Sequence, residues 1–129
     1  MENRKVESVN DLVVWQKSHE LVQQVYSLTA KFPKRELASL AESLRQAVLP
    51  LPIQIAQGFN KHGKRNKIHF YQQALNCIEE VRYRVLLAQD LGFMKKQADL
   101  AETVNSIERM LKRLIRSVAS SSPSQDRGE

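Results

Sequence analysis

Four runs of apolar residues at helical spacing, divided by only a handful of chain-breaking residues, constrain this chain more than any other feature. In the first run Leu12, Trp15, Leu21, Val22, Val25, Leu28 and Phe32 recur on one helical face and stop at Pro33. Asn10 or Asp11 can accept hydrogen bonds from the unpaired N–H groups of a first turn, and Pro33 cannot continue the chain as helix. The second run holds Leu37, Leu40, Leu44, Ala47, Val48, Leu51, Ile55 and Phe59, and ends between Gly58 and Gly63. Pro50 and Pro52 interrupt it. Each removes a backbone donor and crowds the preceding turn, so helix 2 is expected to be kinked at Pro50/Pro52 or split in two. The third run, Ile68, Tyr71, Leu75, Ile78, Val81, Val85 and Leu86, closes at Leu91 and Gly92, where glycine can take a left-handed C-cap. The fourth runs through Ala98, Ala101, Val104, Ile107, Leu111, Leu114, Ile115 and Val118.

Glycine and proline number four each in 129 residues, too few for the turns of a β-sandwich or a glycine-rich phosphate-binding fold. The length fits one domain. Short links between long helices favour antiparallel neighbours, so the expected fold is all-α, an antiparallel up-down-up-down four-helix bundle. Residues 1–10 read as a flexible N-terminal arm, 11–119 as the bundle, and 120–129, polar and serine-rich, as a disordered tail. Apolar residues cover about half the circumference of the third helix at about 100° per residue, with Tyr83 outside that arc. A central place in the bundle accounts for this width; so does a second apolar surface used in self-association.

The net charge of +6 is unevenly distributed. Residues 1–42 balance to 0, residues 43–78 carry +5 with no acid, residues 79–108 carry −2, and residues 109–129 carry +3. In the expected topology, the turn between helices 2 and 3 lies at the same end as the C-terminus of helix 4. The two basic clusters therefore meet, and Arg4 and Lys5 precede helix 1 at that end. Arg109, Lys112, Arg113 and Arg116 share one helical stripe opposite Met110, Leu111, Leu114 and Val118. Cations at the end of a helix complement its dipole, which is a structural reason for that stripe. Lys64, Arg65 and Lys67 crowd a helix start instead, where the dipole disfavours them, so the segment Lys61, His62, Gly63, Lys64, Arg65, Asn66, Lys67 points to an anion.

Little else in the sequence carries chemistry. His19, His62 and His69 include no pair spaced for two metal ligands on one turn, and the single Cys77 has no basic neighbour in sequence to activate it. His19 reads as a helix-packing residue. Glu79 and Glu80 diverge by about 100°, poor geometry for a carboxylate pair, and with Arg82 and Arg84 they read as surface ion pairs. Phe70 and Tyr71 adjoin the basic turn and could stack on bases, although aromatics at helical spacing usually serve the core. No enzyme, cofactor or metal site is expected. No apolar run approaches the roughly 18 residues of a membrane span, and the first residues lack a signal-peptide core, so the expected location is the cytoplasm.

The same residues carry a family likeness. Asp11-Leu12-Val13-Val14-Trp15-Gln16-Lys17-Ser18-His19-Glu20-Leu21 resembles the opening helix of the four-helix-bundle proteins associated with intervening sequences in bacterial large-subunit rRNA genes. Leu44-Arg45, Pro52 and Ile55-Ala56-Gln57-Gly58-Phe59 resemble that family's second helix, and Ala88-Gln89-Asp90-Leu91-Gly92-Phe93 the end of its third. The likeness spans about residues 11 to 118. It implies a four-helix bundle and a ring-shaped homo-oligomer, because similar proteins, including the accessory proteins of diversity-generating retroelements, are pentamers with a basic surface for nucleic acid. Gln46, Gln54 and Gln57 depart from the family pattern, and Pro50 is an addition to it. Gln57 would remove the charge from any intersubunit ion pair made at that position.

The leading expectation is a non-enzymatic, oligomeric bundle binding nucleic acid, RNA over DNA, through Arg45, Lys61, Lys64, Arg65, Lys67, Arg109, Lys112, Arg113 and Arg116, with a reverse transcriptase as its protein partner. The alternative is a structural or adaptor homo-oligomer that binds an acidic protein surface. A membrane-surface role is disfavoured, since the basic stripes lack a free, strongly apolar amphipathic segment.

Overall fold

The computed structural model describes residues 7–121, and for residues 36–38 the backbone alone. Every regular element among them is helical. A 3-10 turn, Val9–Asp11, precedes α1, Val13–Thr29; a second 3-10 turn, Lys34–Glu36, and a π-helical turn, Leu37–Ala41, lead into α2, Glu42–Val48. Then follow α3, Pro50–Asn60, α4, Lys64–Asp90, and α5, Ala98–Ala119. Counting α2 and α3 as the two parts of one run, these are the four helices the apolar periodicity demands. Of the expected arm, residues 1–6 with Arg4 and Lys5 lie outside the described residues, as do residues 122–129 of the expected tail.

The helix boundaries follow local chemistry. At the start of α1 the capping residue is Leu12, not Asn10 or Asp11. The Asp11 carboxylate turns back and accepts from the Glu7 and Ser8 amides at 3.1 and 3.3 Å, closing the 3-10 turn in front of the helix. Between α2 and α3 only Leu49 intervenes, with helical dihedrals of −59° and −39°. Its amide still reaches the Arg45 carbonyl at 3.3 Å. Pro50 then opens α3 as its first residue, where a missing N–H costs no intrahelical bond. At the end of α4, Gly92 takes φ +80°, its amide donates to the Gln89 carbonyl and the Phe93 amide to the Ala88 carbonyl. These two bonds close a Schellman motif.

The core is largely aliphatic, with Phe32 and Tyr71 as its buried aromatic rings. Leu21, Val25, Leu44, Val48, Leu51, Ile55, Tyr71, Ile78, Val81, Leu100, Ile107 and Leu111 are all nearly inaccessible to solvent. Each large side chain buried this way contributes about 1.5–3 kcal/mol before entropy is counted. α4 packs against α3, α2 and α5 together, so a wide apolar arc is what its position requires. Even so, Tyr83 and Leu86 remain 60% and 49% exposed.

Named contacts order the packing along α4. Tyr71 lies against Gly58, where a Cβ would stand 2.6 Å from its Cε1. The Cys77 thiol donates to the Ala47 carbonyl at 3.0 Å, and Arg84 Nε to Ser43 Oγ at 3.0 Å. Later residues of α4 thus meet earlier residues of α3 and α2. On the other side Arg82 bonds Glu108 and Asn105 of α5, while Lys64 reaches Ala119. The Phe32 and Phe93 rings, 5.9 Å apart, join the links that follow α1 and α4. No helix among the described residues is long and apolar enough to cross a membrane.

Candidate nucleic-acid interface

The basic link and the last turn of α5 come together through one bond. Gly63, at φ +89°, turns the chain into α4, and Lys64, the first residue of that helix, donates from Nζ to the carbonyl of Ala119, the last of α5. The bond is 3.2 Å long. It supplies a cation to a helix terminus that would otherwise leave a carbonyl unpaired. Lys67 does the same for α3, its Nζ lying 2.9 Å from the Phe59 carbonyl and 3.3 Å from that of Gly58. The cost of placing cations at the start of α4 is therefore offset at the ends of two neighbouring helices.

Arg45 repeats this logic elsewhere. Its Nε donates to Thr29 Oγ1 at 2.7 Å and a terminal nitrogen to the Tyr26 carbonyl at 3.3 Å, and its guanidinium lies 4.7 Å from the Tyr26 ring centroid. That ties α2 to the end of α1. Because Ala47 is level with Cys77, thirteen residues along α4 from Lys64, Arg45 stands about 20 Å from the basic link. The fold does not bring it to the other candidates.

On α5 the stripe forms as its spacing requires, with Arg109, Lys112, Arg113 and Arg116 all exposed. Two of the four face carboxylates. Arg109 lies 3.6 Å from Glu102, and Lys112 lies 3.2 Å from Glu108. Glu108 also accepts from Arg82 at 2.6 Å, and these donors, Arg82 first, hold its carboxyl below the usual range. Arg82 pairs with Glu79 and Arg84 with Glu80, the surface ion pairs their spacing suggests. Four candidate cations remain: Lys61, Arg65, Arg113 and Arg116 are exposed and make no ion pair among the described residues.

The opposite end of the fold is cationic as well, which the segment-by-segment charge count conceals. Lys31, Lys34, Arg35, Lys95 and Lys96 flank the links joined by Phe32 and Phe93. There they alternate with Glu36, Asp90 and Asp99. Residues 43–78 and 109–121 contain no acid, although Asp11, before α1, lines one groove with Arg113 at the first end.

Aromatic side chains stand beside that surface. Lys61 Nζ lies 5.3 Å from the Phe70 ring centroid, Lys67 Nζ lies 5.8 Å from that of Phe59, and the exposed His69 meets the Phe70 ring at 83°. Phe59 was hidden from sequence reading by its place in an apolar run. His19, expected to pack between helices, is exposed and stacks on Trp15 with centroids 5.5 Å apart. Cys77 is buried, and its thiol is pushed up to about 11, first by burial and then by Glu80, against smaller opposing effects of Arg84 and the Leu51 amide. Among the family departures, Gln46 Nε2 donates to Glu42 Oε2 at 2.7 Å, Gln57 is exposed, and Gln54 Oε1 is buried without a hydrogen-bond partner among the described residues.

The elements and the surface define an all-helical protein with a cationic end built largely from two segments that carry no acid. The chain belongs to the 23S rRNA-intervening sequence protein family, whose model matches residues 10–115. Among curated proteins, none matches it.

Proposed function

We propose that this chain is a non-enzymatic, cytoplasmic RNA-binding accessory protein that acts as a homo-oligomer, and that Lys61, Arg65, Arg113 and Arg116 hold the phosphates. The observation that carries this reading is that these four exposed cations have no carboxylate partner among the described residues and lie at the end where α4 begins and α5 finishes. Cations without an ion-pair partner, on a surface where basic groups outnumber acids, give sequence-independent affinity through counterion release. The family's description, which names 23S rRNA, favours RNA as the polyanion.

The architecture under this reading is an antiparallel up-down-up-down bundle bent at Pro50/Pro52. The descending order of contacts from Gly58 to Ser43 along α4, and the Lys64–Ala119 bond, support it. Lys64 and Lys67 hold the frame on which the four binding cations stand. Arg109 and Lys112, each close to a glutamate, contribute less, and Arg45 serves the junction of α1 and α2.

Self-association draws on exposed Tyr83 and Leu86 and on an apolar groove between α4 and α5 lined by Val85, Leu100, Ala101 and Val104. The resemblance makes a pentamer the assembly to look for and a reverse transcriptase the partner. Light scattering that returned about 14.8 kDa at micromolar concentration would overturn the oligomer.

Titration of RNA over a range of salt concentrations tests the binding itself. Affinity should fall linearly with log salt, and replacing all four cations by alanine should remove roughly 0.7 to 0.9 of slope per lost phosphate contact. Unchanged affinity and slope in that variant would reject the surface.

A further inference from the structure

Two aromatic residues beside the basic link, unlike Tyr71, are not core residues. Phe59 and Phe70 are half-buried, and among the described residues neither belongs to the apolar set packed on the core. Each lies under a cation instead, Phe70 beneath Lys61 and Phe59 beneath Lys67. His69, exposed, meets the edge of Phe70 with centroids 5.0 Å apart. Packing therefore does not explain why a phenylalanine stands at position 70.

Resting on the RNA-binding reading above, we propose that Phe70, with His69 at its edge, is a base-stacking platform, and that the strand bound at this end is single. Lys61 shows which face serves. An ammonium is drawn to the π face that a base would cover. Lys61 is exposed and bonds no carboxylate among the described residues, so it can leave the ring for a phosphate as a base takes its place. Arg65 precedes His69 by four residues, which sets a second phosphate-binding cation on the same face of α4.

Strand geometry decides between the two forms of RNA. A duplex keeps its bases stacked on one another and presents phosphates outside a major groove too narrow for side chains, so it would use the cations and gain nothing from the ring. An unpaired strand offers base faces and phosphates together. No acidic residue occurs between positions 43 and 78 to repel it.

The test compares an unpaired RNA oligonucleotide carrying one fluorescent adenine analogue with a blunt RNA duplex of equal phosphate number, titrated into the full-length protein. Wild type should bind the single strand more tightly and quench the analogue. Phe70→Leu, which keeps an apolar side chain, should weaken single-strand binding about tenfold with the salt slope and duplex affinity unchanged. His69→Ala, an exposed change that leaves the fold intact, should weaken it in the same direction. The platform is overturned if both variants bind the single strand as wild type does, or if wild type binds the duplex equally well. Loss of binding on removing the four cations, with none in Phe70→Leu and His69→Ala, would reject the platform and leave the RNA-binding reading standing; failure of wild type to bind either RNA would reject both.

Discussion

The Nζ of Lys64 donates to the carbonyl of Ala119 across 3.2 Å, so the first side chain of α4 closes the last turn of α5. Together with Lys67 on the Phe59 carbonyl, it assigns part of the basic cluster to folding. Lys64→Ala and Lys67→Ala should each lower stability in urea by about 0.5–1 kcal/mol, the usual worth of a cation at a helix C-terminus. Arg65→Ala should leave stability unchanged and weaken RNA binding. Equal effects of all three on stability would reject this division.

Arg45 provides the converse test. Its 2.7 Å bond to Thr29 Oγ1 is partly buried; removing it takes away the donor to that oxygen, although the hydroxyl still donates to the Val25 carbonyl at 2.7 Å, and it costs the Tyr26 carbonyl one of its donors. Arg45→Ala should cost about 1–2 kcal/mol of stability and leave RNA affinity intact. A loss of affinity matching that of Arg65→Ala would place Arg45 at the ligand.

Gly58 faces Tyr71 so closely that any Cβ must displace the ring. Tyr71 is itself fixed, with burial pushing its hydroxyl up to about 12. Gly58→Ala should therefore destabilise by about 1–3 kcal/mol, against the gain in helix propensity that alanine normally brings. A denaturation midpoint at or above the wild-type value would contradict the contact.

Glu108 links stability to pH. Arg82, then Lys112, hold its carboxyl below the ordinary value of 4.5. A depressed folded value means that the unfolded chain takes up the proton first as pH falls. The contribution is complete above about pH 5 and disappears as pH drops through the folded value. Glu108→Gln should flatten the stability profile below about pH 5. A profile identical to wild type there would show that the pairing with Arg82 and Lys112 adds nothing.

Cys77 should react slowly. With its thiol raised to about 11 and its side chain buried, the native protein at pH 8 should be modified by a maleimide at least tenfold more slowly than the urea-unfolded chain. Similar rates would imply that the junction of α2 and α3 opens readily.

Apolar spacing and chain breakers made the helices legible. Pro33, Gly63 and Gly92 each stand where a link begins or ends, because fixed or positive φ angles are local properties that a residue type announces. The start of α1 was less legible, since Asp11 can cap forward or close a turn behind it, and only the geometry chooses. For the candidate surface, spacing placed the α5 stripe and the basic link. It could not separate Lys64 from Arg65, because the bond to Ala119 joins residues 55 positions apart. The partner of Arg45 was hidden for the same reason: it lies across the fold on α1.

The seat of Tyr71 on Gly58 also fixes what stands between them. Residues 61–63 are a three-residue strap held before by the end of α3 and after by the clamped start of α4, so the backbone origin of Lys61 is set before any ligand arrives. A polyanion meeting this end would find the backbone spacing of its cations already set, so the ordering cost of association is confined to their side chains and to the ligand.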